Sequence, residues 1–225
     1  MKLKGKIINF LGDSITEGFG TENTKKFRYD NFLKKLCKLK ATFNYGISGS
    51  RLAHQSVPTV EEPRKDLCFC GRAYDMEKSA DIVVVYGGIN DYLSGDAPVG
   101  EWGDKTPATY YGAVWFLMNL IREKHPKATV VFMTPARCHI RDITSLKPSP
   151  NPIKKSDAMP VAFYGEVIKQ TAREFAIPVL DLYNTLPIDP NKVEDKKKYT
   201  SDGLHFNDEG HRVLARCLKD FLENL

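Results

Sequence analysis

Ser14 and His205, near opposite ends of the chain, are the residues whose types and surroundings best suit acyl-transfer chemistry. Ser14 follows a Gly-Asp pair at the end of a short apolar run, where its hydroxyl could project as a nucleophile. His205 could accept the serine proton near neutral pH, and Asp202, three residues earlier, could orient the imidazole. Each segment alone also fits an ordinary turn, with Ser14 or Asp202 as a helix cap.

Two further segments carry residues that could stabilise a developing oxyanion. Asn90 follows a Gly-Gly-Ile sequence after an apolar run, and its amide is a neutral hydrogen-bond donor. Gly46 ends another apolar run, where it could present a backbone N–H without a side chain that blocks the substrate. Considered singly, both are also common turn residues without a catalytic role.

These segments need a scaffold that brings distant parts of the chain together. Short apolar runs alternate with amphipathic segments, a pattern typical of repeated β-α units around a parallel sheet. The predicted strands are Gly5–Leu11, Thr42–Tyr45, Asp81–Tyr86, Ala128–Met133 and Ile177–Leu180. The predicted fold class is α/β, a three-layer α/β/α sandwich with a five-stranded parallel sheet.

Helix signals occupy the intervals between these strands. Apolar residues recur on one helical face from Tyr29 to Leu39 and again from Val161 to Phe175. Thr106 and Pro107 together predict the start of a further helix, and Asn207 is a suitable cap for the last one.

Three long irregular stretches follow the second, third and fourth predicted strands. They are Arg51–Arg72, Asp91–Lys105 and Thr134–Asp157. Because ligands of open parallel sheets bind beyond the carboxyl ends of the strands, we expect these stretches to surround the functional site.

Length and composition are those of an ordinary globular protein. The 225 residues fit one domain spanning residues 1–225, with 42% hydrophobic and 27% charged residues. The net charge of +5 is small for this length, and the densest basic run, Lys196–Lys198, directly follows two acidic residues and is predicted to be a solvated loop. These features argue against a nucleic-acid partner.

The cysteines and the apolar runs restrict the compartment and the cofactors. Five cysteines are an odd number with a single close pair, Cys68 and Cys70, which favours reduced thiols over disulfides or a metal site. No run reaches the ~18 apolar residues that cross a bilayer, and no signal-peptide pattern is present. We therefore predict a cytoplasmic protein without a membrane span, metal or cofactor; its oligomeric state is left open.

Taken together, the four chemistry-bearing segments resemble those of the SGNH hydrolases, the family of GDSL-type lipases and esterases. The family's blocks match, in chain order, as Gly12-Asp13-Ser14, Gly46, Gly88-Ile89-Asn90-Asp91 and Asp202-Gly203-Leu204-His205. Ile15 stands where the GDSL label has leucine, a conservative change. The resemblance extends from Ile7 to His205 and implies the flavodoxin-like SGNH hydrolase fold acting on a small-molecule ester.

The resemblance also implies a role for each matched residue. Ser14 would be the nucleophile, and His205 the base that Asp202 orients. The backbone N–H groups of Ser14 and Gly46, with the side chain of Asn90, would form the oxyanion hole. The complete set implies a serine hydrolase acting on carboxylic ester bonds, with no cofactor.

Other polar residues at the predicted sheet edge are candidates for binding the substrate. They are Arg51, His54, Arg137 and His139. Arg51 could equally pair with a carboxylate. His125 is interpreted as structural and His211 as exposed on the last helix. Gly18-Phe19-Gly20 is a poor match to a nucleotide-binding loop, because the third glycine and the acidic partner are missing.

The predicted reaction is ester hydrolysis through an acyl-enzyme. The stretches at the sheet edge carry many charged side chains, whereas a long acyl chain needs a broad apolar surface. We therefore predict removal of a short acyl group, acetyl, from a carbohydrate-like alcohol. The alternatives left open are a lysophospholipase, a thioesterase or an acyltransferase of the same family, and a non-catalytic binding module.

Overall fold

A computed structural model describes residues 1–139 and 159–225 of the chain. Within these residues the strands are β1 (Ile7–Gly12), β2 (Ala41–Gly46), β3 (Ile82–Tyr86), β4 (Thr129–Met133) and β5 (Val179–Leu180). The helices are α1 (Ser14–Glu17), α2 (Tyr29–Cys37), α3 (Phe69–Arg72), α4 (Ile89–Leu93), α5 (Tyr110–Lys124), α6 (Val161–Glu174), α7 (Leu182–Thr185), α8 (Val193–Tyr199) and α9 (Asp208–Glu223). Most of the predicted loop Thr134–Asp157 lies outside the described residues.

The strands form one parallel sheet in the order β2-β1-β3-β4-β5. This order confirms the predicted α/β fold, and every predicted strand agrees with the structure to within two residues at each end. In the interior of the sheet, β3 is buried at every position, as its run of branched apolar residues indicates.

Alternate side chains of β3 enter two separate cores, one on each face of the sheet. Val83 and Val85 contribute to the core that α5 and α6 cover. Ile82 and Val84 contribute to the core that α2 and α9 cover. The period of two along the strand therefore accounts for the predicted three-layer arrangement.

The helix starts agree with the sequence at α9 but not at α5. Asn207 caps α9, where its side chain accepts hydrogen bonds from two backbone N–H groups at 3.1 Å. The predicted start of α5 at Thr106 and Pro107 is wrong, because Thr109 supplies the cap, accepting from the N–H of Gly112 at 3.0 Å. Pro107 instead lies in a turn, where its carbonyl accepts a hydrogen bond from His54. Within the described ranges, no helix is long and apolar enough to cross a membrane.

Two further predictions about the C-terminal region are wrong. Lys196–Lys198 lies within α8, not in a loop. His211 is fully buried in α9, where its Nδ1 lies 3.2 Å from the backbone N of Tyr29 and its ring stacks on that tyrosine. Burial lowers the pKa of His211 to about 3, so the ring is uncharged and belongs to the packing between α2 and α9.

Candidate active site

The carboxyl end of β1 turns directly into α1 at Ser14. A Cβ on Gly12 would lie 1.9 Å from the hydroxyl oxygen of Thr16, so the turn requires glycine at this position. Asp13 caps the helix, since its carboxylate accepts a hydrogen bond from the N–H of Ile15 at 3.0 Å. These contacts hold Ser14 in the first turn of α1, beyond the edge of the sheet.

Ser14, His205 and Asp202 form one hydrogen-bonded chain. Oγ of Ser14 lies 2.9 Å from Nε2 of His205, and Nδ1 of His205 lies 2.6 Å from Oδ2 of Asp202. Because the carboxylate accepts the Nδ1 proton, Nε2 is the atom left to accept the serine proton. The predicted nucleophile and base are therefore in contact.

The Asp202 carboxylate is held in its ionised form. Burial raises its pKa, but hydrogen bonds from the His205 side chain and from the N–H groups of His205 and Leu204 outweigh this effect, and the pKa lies below its ordinary value. The two backbone donors are 2.8 and 2.9 Å from Oδ1. An ionised Asp202 both orients the imidazole and would stabilise the imidazolium.

The segment between α8 and α9 folds back on itself to place this pair. An antiparallel bridge closes its two ends, and the N–H of Ser201 donates to the carbonyl of His205 at 2.9 Å. Gly203 adopts a φ of +93°, a conformation that favours glycine. The tight turn at this residue lets Asp202 and His205 face each other across a spacing of three.

Asn90 lies at the start of α4, beyond the end of β3. Its side-chain amide donates to the carbonyl of Ser50 at 3.0 Å, and the residue is 9% exposed. The carboxylate of the next residue, Asp91, accepts from the N–H groups of Leu52 and Ala53, both at 2.9 Å. Adjacent residues of α4 therefore fix the loop that follows β2.

Gly46 does not offer its N–H at the sheet edge. That N–H donates to Oδ1 of Asn44 at 3.0 Å, which uses its single donor capacity. A Cβ on Gly46 would lie 2.2 Å from the backbone nitrogen of Glu17, so glycine is required here for close packing of β2 on α1. The predicted role of Gly46 as an oxyanion donor is therefore not supported.

Gly49, three residues further along the chain, is better placed than Gly46 to offer a backbone N–H to the substrate. Among the hydrogen bonds of the described residues, none uses the Gly49 N–H. Its φ is +75°, and it directly precedes Ser50, which Asn90 holds in place. Gly49 lies beyond the strand end, and its only signal in the sequence is that it is the second glycine of the Gly-Ile-Ser-Gly segment.

Arg72, for which the sequence predicts no role, is partly buried at the carboxyl ends of β1 and β2. Its guanidinium donates to the carbonyls of Gly12 and Tyr45 and to the hydroxyl of Ser50, the last at 2.8 Å. Burial lowers its pKa to about 10, so the group stays charged at neutral pH. Arg72 thereby joins the ends of β1 and β2 to the loop that carries Gly49.

Asp13 is a second buried carboxyl group in the same region. It is 1% exposed, and burial raises its pKa from 3.8 to about 6, even though the N–H of Ile15 favours the charged form. The charge of Asp13 therefore changes in the weakly acidic range, directly beside Ser14.

Arg51 and His54 lie on the loop after β2 in different environments. Arg51 is 1% exposed and forms an ion pair with Asp66 at 2.8 Å, which is the second of its two predicted roles. His54 is exposed, and its backbone N–H donates to Pro107. Of the two, His54 is the one whose side chain remains accessible to a ligand.

Arg137 and His139 lie on the segment after β4. Arg137 donates to the carbonyl of Leu186 at 2.9 Å. His139 is partly exposed, and its backbone N–H donates to Gly203 at 2.9 Å, which places it against the turn between Asp202 and His205. His139 also lines a surface cavity of about 440 Å³ that includes Lys196. Of these two candidates, His139 lies against the segment of the predicted base.

The described residues offer no ready site for a metal ion. No group of three or more His, Cys, Asp or Glu side chains in this part of the chain is arranged to hold one. The five cysteines are unpaired, and Cys37, Cys70 and Cys138 are buried.

Comparisons with known proteins identify the family to which the chain belongs. The GDSL-like lipase/acylhydrolase family model matches residues 10–213. A comparison with curated proteins gave no significant match. Among solved structures, a Lactobacillus plantarum protein is 27% identical over 99% of this chain and 98% of its own, with a TM-score of 0.82.

Two more distant structures share the fold. A lipase/acylhydrolase from Enterococcus faecalis is 18% identical over 97% of this chain and 96% of its own, with a TM-score of 0.63. A two-domain esterase active on acetylated mannans is 20% identical over 97% of this chain and 49% of its own, with a TM-score of 0.58. Since the family model spans most of the sequence, the chain belongs to the GDSL-like lipase/acylhydrolase family of hydrolases.

Proposed function

We propose that the protein is a serine esterase in which Ser14 is the nucleophile, His205 the general base and Asp202 the residue that orients it. The observation that carries this proposal is the unbroken hydrogen-bonded chain, with contacts of 2.9 and 2.6 Å between the three side chains. Ligand binding alone does not require a serine hydroxyl that is hydrogen-bonded to an oriented imidazole, whereas nucleophilic catalysis does.

In the first half-reaction, Ser14 Oγ attacks the ester carbonyl while Nε2 of His205 takes its proton. The tetrahedral intermediate collapses when the imidazolium returns that proton to the leaving alcohol, and the acyl group stays on Ser14. Water then attacks the acyl-enzyme with His205 again as base, which releases the carboxylic acid and restores the serine. The ionised Asp202 stabilises the imidazolium in both halves.

For the oxyanion hole we propose three donors from separate elements. They are the backbone N–H of Ser14 in the first turn of α1, the N–H of Gly49, and the side-chain amide of Asn90. The amide of Asn90 has two N–H groups, of which the contact with Ser50 uses one. Fixed donors aimed at the developing charge need no reorganisation during the reaction.

The substrate we favour is a short acyl ester, an acetate, of a carbohydrate-like alcohol. One cavity beside the 202–205 turn is lined by the polar side chains of His139, Lys196 and Ser201, together with the apolar Pro190 and Val193. Such a surface suits an alcohol with several hydroxyl groups better than a lipid chain. The acetylated-mannan esterase that shares the fold acts on an ester of this kind, which supports the choice by analogy only.

The test is a comparison of kcat/KM for 4-nitrophenyl acetate, butyrate and octanoate, followed by acetylated sugars, lysophospholipid and an acyl thioester. We expect acetate to be preferred and acetylated sugars to be hydrolysed. A clear preference for octanoate, or activity only on lysophospholipid or thioester, would contradict the proposed substrate while keeping the esterase chemistry. Products formed with an added alcohol distinguish a transferase from a hydrolase.

A further inference from the structure

The segment Gly18-Phe19-Gly20, which matched a nucleotide-binding loop poorly, lies directly beside the proposed base. The ring of Phe19 packs on the imidazole of His205 with 4.5 Å between the ring centroids and an angle of 59° between the planes. Phe19 is nevertheless 50% exposed, so one side of this large apolar ring faces solvent next to the site. Packing on His205 explains why one side of the ring is covered, but it does not explain why a large apolar side chain is exposed on its other side.

Backbone contacts fix the position of Phe19. Its N–H and that of Gly18 both donate to the carbonyl of Ser14 at 2.9 Å, so the phenylalanine is tied to the nucleophile itself. Gly18 and Gly20 have φ values of +96° and +93°, which favour glycine. A Cβ on Gly20 would lie 3.0 Å from Cβ of His205, so the loop is seated tightly against the base.

We propose that the exposed face of Phe19 binds the ring of the leaving alcohol and thereby determines specificity for that part of the substrate. This inference rests on the proposed esterase function. The leaving oxygen must come within hydrogen-bond reach of Nε2 of His205 to receive its proton. The atoms attached to that oxygen therefore lie next to the imidazole. The ring of Phe19, which packs on this imidazole, offers them an exposed apolar surface.

The chemical class that fits this surface is an alcohol that carries a six-membered ring. A sugar ring presents C–H groups on its faces, and an aromatic ring presents its edge or face, and both pack on a phenyl side chain. A small alcohol such as ethanol does not extend far enough to cover the ring. The selectivity therefore depends on the alcohol and leaves the acyl group free to vary.

The experiment compares kcat/KM of Phe19→Ala and wild type on acetates that share the acyl group. Benzyl acetate and an acetylated monosaccharide carry rings, whereas ethyl acetate does not. We expect the loss of kcat/KM in Phe19→Ala to be about 5- to 10-fold greater on the ring-bearing acetates than on ethyl acetate. Phe43→Ala, on the partly exposed Phe43 of β2, is the matched control and should leave both values unchanged.

Phe19→Leu separates the contact with substrate from support of the imidazole. Leucine keeps apolar bulk against His205 but has no aromatic face, so it should lose less activity on ethyl acetate than alanine does and still lose part of the preference for ring-bearing esters. An equal loss on all three acetates would overturn the inference, because it would mean that Phe19 acts through His205 alone; no loss on any of them would also overturn it. Absence of turnover by the wild type on every ester would instead contradict the proposed function, and the inference with it.

Discussion

The two halves of the site, one that transfers the proton and one that faces the developing negative charge, are built differently. The proposed base, His205, and its orienting carboxylate, Asp202, come from a single turn. His205 lies 2.9 Å from Ser14 and 2.6 Å from Asp202. The proposed oxyanion donors come from α1, from the loop after β2 and from α4. The first half thus depends mainly on local chain geometry, and the second on how three elements pack.

This difference shows where each half is vulnerable. Asp202 and His205 are held by hydrogen bonds within residues 200–206, so distant changes should hardly move them. The loop with Gly49 and Ser50 depends on Asn90 from one side and on Arg72 from the other. We therefore expect losses of proton transfer mainly from changes in the triad and its immediate neighbours, but losses of oxyanion stabilisation from several remote positions.

The largest expected effect comes from Ser14→Ala, which removes the hydroxyl that is the proposed nucleophile. We expect kcat to fall by roughly 10⁴- to 10⁶-fold, since removal of a triad nucleophile leaves only residual catalysis. The thermal unfolding midpoint should stay close to that of wild type, because alanine fits the first turn of α1. Substantial esterase activity in a folded Ser14→Ala variant would show that another residue is the nucleophile.

Asn90→Ala tests the oxyanion half by itself. We expect kcat to fall by roughly 10²- to 10³-fold with little change in KM, because the amide would contact the oxygen most strongly in the transition state. Steady-state kinetics on a good acetate substrate provide both values. A rise in KM at unchanged kcat would instead mean that Asn90 binds the substrate in its ground state.

The same contrast explains how much of the molecule could be predicted from its sequence. The strands follow from apolar runs, and Asp202 and His205 from a spacing of three, which are local signals. The start of α5 could not be located this way, because Thr106 and Thr109 are both suitable caps and packing of the preceding turn decides between them. The burial of His211 likewise depends on Tyr29, 182 positions away.

The glycines after β2 show the limit most clearly. Gly46 and Gly49 are equally compatible with an oxyanion donor as sequence positions. Only their contacts in the structure distinguish the two glycines. The N–H of Gly46 donates to Asn44 and the residue packs closely on α1, whereas the N–H of Gly49 has no acceptor in the described part of the chain. Arg72 gave no signal at all, because an arginine in a charged loop is usually solvated.

Arg72→Lys tests whether Arg72 positions the loop that carries the proposed oxyanion donor Gly49. Lysine keeps the charge but cannot donate to the carbonyl of Gly12 and the hydroxyl of Ser50 with one planar group. We expect a loss of about 1–3 kcal/mol in the free energy of unfolding, and a decrease in kcat of about tenfold with KM little changed. Urea unfolding and steady-state kinetics measure the two effects.

Arg64→Ala is the matched control for this variant. Arg64 is 65% exposed and pairs with Glu17 at the surface, so its removal should change stability by less than about 1 kcal/mol and leave kcat unchanged. If Arg72→Lys loses stability while kcat stays at the wild-type value, Arg72 supports the fold without positioning the oxyanion loop.

Asp13→Asn should have the smallest effect on rate and a distinct effect on stability. Burial raises the pKa of Asp13 from 3.8 to about 6 in the folded protein, so the folded state binds its proton more tightly than the unfolded chain does. Well below pH 3.8 the Asp13 carboxyl is protonated in both states, and its burial does not reduce the free energy of unfolding. As pH rises from about 4 to 6 the unfolded chain gains by ionising first, and stability falls; above pH 6 the penalty is constant.

Asparagine removes this penalty while keeping an oxygen that accepts from the N–H of Ile15. We therefore expect Asp13→Asn to match wild type near pH 4 and to exceed it by about 1–3 kcal/mol in the free energy of unfolding at pH 7.5. Urea unfolding of both proteins from pH 4 to 8 measures the difference. Asp13→Ala is the control, because it removes the charge and the cap together and should be less stable than Asp13→Asn at every pH by about 1 kcal/mol. A stability difference between Asp13→Asn and wild type that does not vary with pH would mean that Asp13 is ionised throughout, with its charge compensated by Arg72.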